Sequence, residues 1–308
     1  MWDRIKGALA LVLISLNTLL VFPVVIALGL LKLLVPSVSF QKLCTRALIA
    51  IAEYWMGFNS FLMDTLHDIH WDIRGTEGLS RNEWYLVTSN HQSWADIPVV
   101  QHALLGKTPM PKFFLKQQLI WVPVIGLTWW ALDFPFMKRY TREQVEKNPA
   151  LKGKDLETTR KACEKFRYTP VAVFNYLEGT RFTPEKHARQ NSPYKHLLKP
   201  KAGGAAFVLG AMGDQIKTWL DITICYPERV ISFWDFVCGR IHHIIVDIRK
   251  IDIPPQFLNR DYATDEAFRA EFQAWVAKLW EEKDALLDEL LTSFEAERTA
   301  CKQGARPD

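Results

Sequence analysis

The chain has 308 residues, 49% of them hydrophobic and 23% charged, a balance that excludes a disordered or collagen-like polymer. Net charge is +4, a mild basic excess that suits an anionic membrane surface or a phosphate-bearing substrate. The length fits one large domain with appendages, and no nucleic-acid partner is expected.

The first predicted element is apolar. Gly7 to Leu31 carries no charge, long enough for a helix to cross a hydrocarbon core of roughly 30 Å. The run exceeds the roughly 7–15 residues of a signal-peptide core. Pro23 predicts a kink and Pro36 an end. Leu43 to Leu66 holds Arg46, Glu53 and Asp64, which predicts an amphipathic helix along the interface. One full span and a bent helical pair dipping into one leaflet both fit. Flanking lysines and arginines lean slightly towards a main domain on the cytoplasmic side. Residues 1–65 are therefore predicted to be membrane-anchoring helices.

Residues 66–250 change texture. Ile69–Ile73 and Trp84–Thr88 predict short strands around the turn Gly75-Thr76-Glu77-Gly78. The second strand runs into Asn90-His91, and Ile97–Leu105 predicts a helix with Pro98 in its first turn. His91 then sits in a strand-to-helix loop, with Asp96 near the helix N-terminus. On a continuous helix the pair would be splayed by about 140°; a turn between them lets them meet. Strands are also predicted from Lys112, at Val171–Tyr176 running to Glu178, at Leu220–Tyr226 and at Ile241–Ile248. The fold class is α/β, a mixed or mostly parallel sheet flanked by helices, with both motifs just past strand C-termini. In residues 251–308, Phe268, Phe272, Trp275, Leu279, Leu286, Leu290 and Phe294 recur at helical spacing, predicting a long amphipathic helix. Arg298 to Asp308 is expected to be a frayed tail.

His91 and Asp96 together offer a base and a carboxylate to fix its tautomer. With no nucleophilic side chain beside them, a substrate hydroxyl must attack. Glu178-Gly179-Thr180-Arg181 adds donors suited to phosphate. The bland alternatives are a satisfied loop histidine and an Arg181 that merely pairs with a carboxylate. His67, His70, Asp68 and Asp72 flank a strand start, and His242 and His243 face opposite ways on a strand, so no metal is assigned. Five cysteines, Cys44, Cys163, Cys225, Cys238 and Cys301, include no Cys-x-x-Cys pair and read as reduced. Zinc-finger, Walker-type and G-x-S-x-G patterns are missing from the sequence.

Asn-His-x-x-x-x-Asp followed by Glu-Gly-Thr-Arg resembles the signature of the glycerolipid acyltransferases typified by 1-acyl-glycerol-3-phosphate acyltransferase. Lys116, Leu119, Gly126 and Arg139 match the long spaced pattern that this family carries between the two motifs. The resemblance covers about residues 66–230, and the flanking segments look like a bacterial inner-membrane branch. It implies His91 as general base oriented by Asp96. It also implies Lys116, Arg139, Glu178, Gly179, Thr180 and Arg181 around the glycerol-phosphate end of a lysophospholipid acceptor. The implied reaction moves a fatty acyl chain to the sn-2 hydroxyl of lysophosphatidate, giving phosphatidate. Acyl-CoA or acyl carrier protein would be the thioester co-substrate, with no other cofactor. The implied location is the inner membrane, in contact with membrane lipid, with the catalytic domain on the cytoplasmic face. Another lysophospholipid acceptor such as lysophosphatidylglycerol fits the same residues, and a non-catalytic lipid-binding membrane protein is the rival of a different class. Leu177 stands where many members have Pro, and Ile222–Pro227 keeps only the later Pro of its block, so nothing catalytic is assigned there. Lys199 or Lys201 offers a phosphate contact or sits in a solvated loop. Gln117–Leu132, with Trp121, Trp129 and Trp130, either lines an acyl tunnel, lies at the interface or fills the core.

Overall fold

The uncharged N-terminal run folds as one helix, α1 (Trp2–Leu34), in a computed structural model that describes residues 1–137, 163, 166 and 169–304. Side chains of Lys116, Met137 and residues 301–304 lie outside that description. Pro23 removes one intrahelical hydrogen bond, yet the helix continues through it to Leu34. The return helix α2 (Val38–Leu66) buries Cys44, Leu48, Ala52 and Met56, an i, i+4 stripe facing α1. Trp55 Nε1 donates to Thr18 Oγ1 across this hairpin at 2.9 Å. Among the described residues only α1 is long and apolar enough to cross a membrane, with mean hydropathy 2.6 and 17% of that window buried in the protein.

Six strands form the main sheet: β1 (His70–Arg74), β2 (Tyr85–Ser89), β3 (Pro111–Phe113), β6 (Ala172–Tyr176), β7 (Thr218–Cys225) and β8 (His243–Asp252). The order is β1-β8-β7-β2-β6-β3, parallel at every step except β7–β8, so the sheet is mixed. A two-stranded ladder, β4 (Leu115–Lys116) with β5 (Phe136–Met137), stands apart. All five residues of β2 are buried because both faces of the sheet are covered. Tyr85 and Val87 pack towards α3 (Asp96–Leu104) and the inner ends of α1 and α2. Leu86 packs the other way, towards α6 (Gly203–Met212) and α8 (Glu266–Gly304). The remaining α-helices among the described residues are short: α4 (Ile125–Ala131), α5 (Pro184–Gln190) and α7 (Phe233–Val237).

Two expectations are corrected. α8 continues past Arg298 to Gly304, through Glu297, Arg298 and Ala300, which favour helix, and the rest of the expected tail, residues 305–308, lies outside the described residues. Gln117–Leu132 is not one buried unit. Trp121 is 85% exposed, whereas Ala131 and Leu132 are buried against α1 and α2.

Because β6, β2 and β7 are parallel neighbours, their C-termini reach one edge of the sheet together. Ser89, the last residue of β2, lies opposite Tyr176 of β6 and Ile222 of β7. Everything catalytic that the sequence singles out, Arg139 and the Lys116 side chain aside, is built on that edge.

Candidate active site

β7 runs on past the end of β2, which leaves the backbone of Ile224 without a strand partner on that side. Asn90 supplies one: its side-chain amide donates to the Ile224 carbonyl and accepts from the Ile224 amide, both at 2.8 Å. The side chain thus extends the sheet by one step while the backbone is free to turn. His91 is the next residue.

Asp96 is the first residue of α3 and fully buried, at the helix end that favours negative charge. Its Oδ2 accepts from His91 Nδ1 at 2.8 Å and from the amides of Gln92 and Ser93 at 2.7 and 2.9 Å. Its Oδ1 accepts from the Tyr226 hydroxyl at 2.7 Å. With two amides and a tyrosine hydroxyl already donating to it, the carboxylate is an acceptor towards His91, so the neutral imidazole that pairs with it is the Nδ1–H tautomer, with the Nε2 lone pair free. The His91 side chain is 12% exposed, and its ring stacks on Tyr176 with centroids 3.9 Å apart. The Tyr176 hydroxyl is buried with no hydrogen-bond partner among the described residues, and burial beside Asp96 raises its pKa well above the usual tyrosine value. Phe113 continues the aromatic face beyond Tyr176, towards Phe134 and α4.

After β6 the chain turns at Gly179, whose φ of 66° is in the left-handed region that favours glycine. The turn buries Glu178 completely. Oε1 accepts from the His91 amide at 2.8 Å and Oε2 from the Leu198 amide at 3.1 Å. The Phe182 amide in turn donates to the His91 carbonyl at 2.7 Å, so the two motif loops are stitched in both directions. Burial pushes the Glu178 carboxyl up to about 8, against the lowering effect of its two amide donors. The resemblance placed Glu178 at the acceptor's glycerol-phosphate end. In the structure its two carboxyl oxygens meet backbone amides at residues 91 and 198, which ties the two motif loops together.

Thr180 Oγ1 accepts from Lys186 Nζ at 2.8 Å, and the same ammonium reaches the Arg181 carbonyl at 2.8 Å. The exposed Arg181 guanidinium lies 4.8 Å over the Trp94 ring. Stacking uses the face of the guanidinium and leaves its edge donors, which meet no hydrogen-bond partner among the described residues, available to an anion. Lys201 lies along Gly179, close enough that a Cβ there would be 3.3 Å from Nζ. Lys116 sits in β4 and Gly126 in α4; the Lys116 side chain and all of Arg139 lie outside the described residues.

Sequence reasoning missed the amide of Asn90 as a sheet cap, and Tyr176 and Tyr226 as supports of the pair. Tyr226 closes the block Ile222–Pro227 that was set aside, so its position was visible although its contact was not. Among the described residues, no group of three or more His, Cys, Asp or Glu gathers as a metal site.

The family model described as Acyltransferase matches residues 70–225, about half of the chain. A Mus musculus protein named 1-acyl-sn-glycerol-3-phosphate acyltransferase gamma is 26% identical over 184 residues, 57% of this chain and 44% of the relative. A Rattus norvegicus protein named 1-acyl-sn-glycerol-3-phosphate acyltransferase delta is 25% identical over 265 residues, 80% of this chain and 62% of the relative. The chain thus spans about half the length of the curated relatives it matches. The crystal structure of PlsC, the 1-acyl-sn-glycerophosphate (LPA) acyltransferase from Thermotoga maritima, aligns over 87% of this chain and 95% of that chain, with 16% identity and a TM-score of 0.48.

Proposed function

The chain belongs to the acyltransferase family, and from that premise we propose that it transfers a fatty acyl chain from an acyl thioester to the sn-2 hydroxyl of lysophosphatidate, forming phosphatidate. The observation that carries the mechanism is the 2.8 Å contact of His91 Nδ1 with an Asp96 already held by two amides and a tyrosine hydroxyl. That arrangement fixes the imidazole so that Nε2 is the base.

Nε2 takes the proton of the acceptor hydroxyl as its oxygen bonds to the thioester carbonyl carbon. The C–S bond then breaks, and the departing sulfur takes the proton back from Nε2 as the thiol leaves. The imidazolium formed in between is stabilised by the buried Asp96, as in a catalytic triad without its serine. The thioester is already activated, so positioning and base catalysis carry the step. Arg181, with its edge donors open beside the site, is the proposed phosphate partner, with Lys116 and Arg139 carried over from the family pattern. The names of the curated relatives favour lysophosphatidate over other lysophospholipids. The apolar face of α1 supports attachment to a membrane. We place the protein at the inner membrane, with the catalytic domain on the cytoplasmic side.

The test is incubation of the purified chain with labelled acyl-CoA or acyl carrier protein thioester and, separately, lysophosphatidate and lysophosphatidylglycerol, followed by lipid extraction. Labelled phosphatidate is the expected product. His91→Ala should abolish it in a folded protein, and Arg181→Ala should raise KM for the acceptor more than for the donor. Near-normal activity of His91→Ala sinks the mechanism. Binding of lysolipid without turnover sinks the enzyme reading in favour of a lipid-binding protein.

A further inference from the structure

α8 begins beyond residue 225, where the family match ends, and its apolar spacing alone marks it as a packing helix. Its polar contacts have a different direction. Asp284 accepts from two consecutive backbone amides, Lys195 at 2.7 Å and His196 at 2.8 Å. One turn earlier, Trp280 Nε1 donates to the Leu198 carbonyl at 2.9 Å. One turn later, Asp288 meets His196 Nε2 at 3.0 Å and also the Lys195 ammonium. These three side chains recur every four residues, so a single stripe of the helix grips the loop 195–198. The Leu198 amide at the end of that loop is the one that holds Glu178 Oε2, and Glu178 Oε1 holds the His91 amide.

A second connection runs through Lys283. It is fully buried, with its ammonium on the Ile222 carbonyl at 2.6 Å, Thr223 Oγ1 at 3.0 Å and the Asp221 carboxylate at 3.0 Å. This pins α8 to β7, the strand that leads directly into Tyr226 and so to Asp96. Both members of the His91–Asp96 pair are therefore tied to the same helix, one through a loop and one through a strand.

We propose that α8 is a positioning element of the acyl-transfer site, with Asp284 and Trp280 as positioning residues that set the His91 loop through Leu198 and Glu178. The proposal rests on the acyl-transfer reading above. A helix packed into the core is a stiffer support than a loop, and a base displaced by about 1 Å can lose as much as a hundredfold in rate.

The experiment measures kcat, KM for each substrate and melting temperature on the full chain in detergent, with acyl-CoA and lysophosphatidate. Asp284 is half-buried and outside the apolar core, so Asp284→Ala removes the amide tether without opening a cavity. The expected result is a roughly tenfold loss in kcat, KM values within about twofold, and a melting temperature near wild type. Asp284→Asn keeps one good acceptor and should fall between, and Trp280→Phe should lower kcat in the same sense. Leu290→Ala, at a buried apolar side chain of α8 that makes no hydrogen bond to the loop, serves as the packing control: it should lower the melting temperature and leave kcat alone. If Asp284→Ala and Trp280→Phe both keep kcat within twofold of wild type, the proposal is overturned. It is equally overturned if kcat follows melting temperature in step across all four variants. His91→Ala, run in parallel, separates the two levels: an active His91→Ala removes the acyl-transfer reading, whereas a dead His91→Ala beside a fully active Asp284→Ala removes only the role of α8.

Discussion

Glu178 is the residue on which the site's geometry and its titration meet. Its carboxyl is raised from the model-compound value of 4.5 to about 8, chiefly by burial. Between those two values the native protein keeps a proton that the unfolded chain has lost. Stability therefore falls as pH rises across the window, by up to about 1.4 kcal/mol per pH unit from this group, and its contribution is greatest below the lower value. Glu178→Gln cannot titrate, so its stability should decline less steeply between about pH 5 and pH 8. Denaturant unfolding of both proteins at several pH values in that window measures the two slopes, and equal slopes would show that Glu178 ionises normally in the fold. The substitution also leaves a single carbonyl where two oxygens accepted amides, so the His91 loop should loosen at every pH. The sequence could show Glu178 as part of a motif. It could not show that the carboxylate faces inward, because its partners are backbone amides at residues 91 and 198. Tyr226 was unreadable for a similar reason: its hydroxyl meets Asp96 across a separation of 130 residues.

The elements were more legible than the contacts, for a reason visible in β2, β6 and β7. A sheet covered on both faces writes continuous apolar runs into the chain, and those runs predicted the three strands to within a residue or two. The apolar run Ile241–Ile248 stops short of the end of β8, where Arg249, Lys250 and Asp252 continue the strand since each pairs with β7. What no periodicity reports is how closely helices approach. Gly29 in α1 faces α4 so tightly that a Cβ there would sit 2.8 Å from the Ala131 Cβ, and one on Gly7 would sit 2.4 Å from Cys238 Sγ. Both glycines let α1 lie against the body of the protein at its two ends. Gly29→Leu should force the α1–α4 contact apart and cost about 1–3 kcal/mol. Thermal unfolding against wild type measures this, and an unchanged melting temperature would mean that the contact yields without strain.

At the scale of the whole molecule, those contacts decide how α1 would act as the proposed anchor. A tether would leave the catalytic domain free to tumble over the lipid surface. Here α1 is fixed by Gly7 against Cys238, by Gly29 against Ala131, by Trp55 on Thr18 and by the ion pair of Lys32 with Asp133. Its outer face is different: among the described residues, Leu9, Val12, Leu16, Leu20 and Val24 are each about half exposed or more. On the proposed membrane seat, a rigid connection to this apolar face would hold the sheet edge carrying His91 at one orientation to the lipid surface that is proposed to supply the acceptor. The strength of that seat is testable on the outer face alone. Leu16 is 50% exposed and Leu20 is 76% exposed, so lysines there leave the packed side of α1 untouched. Each lysine near the middle of an inserted helix costs about 2.5–3.5 kcal/mol, so the double variant Leu16→Lys, Leu20→Lys should lose roughly 5–7 kcal/mol of membrane affinity. Co-flotation with phospholipid vesicles should fail for the double variant, while turnover of a short-chain, water-soluble lysophosphatidate should persist. Unchanged flotation would mean that this face of α1 is not the membrane seat, and loss of turnover on the soluble acceptor would mean that α1 shapes the site itself.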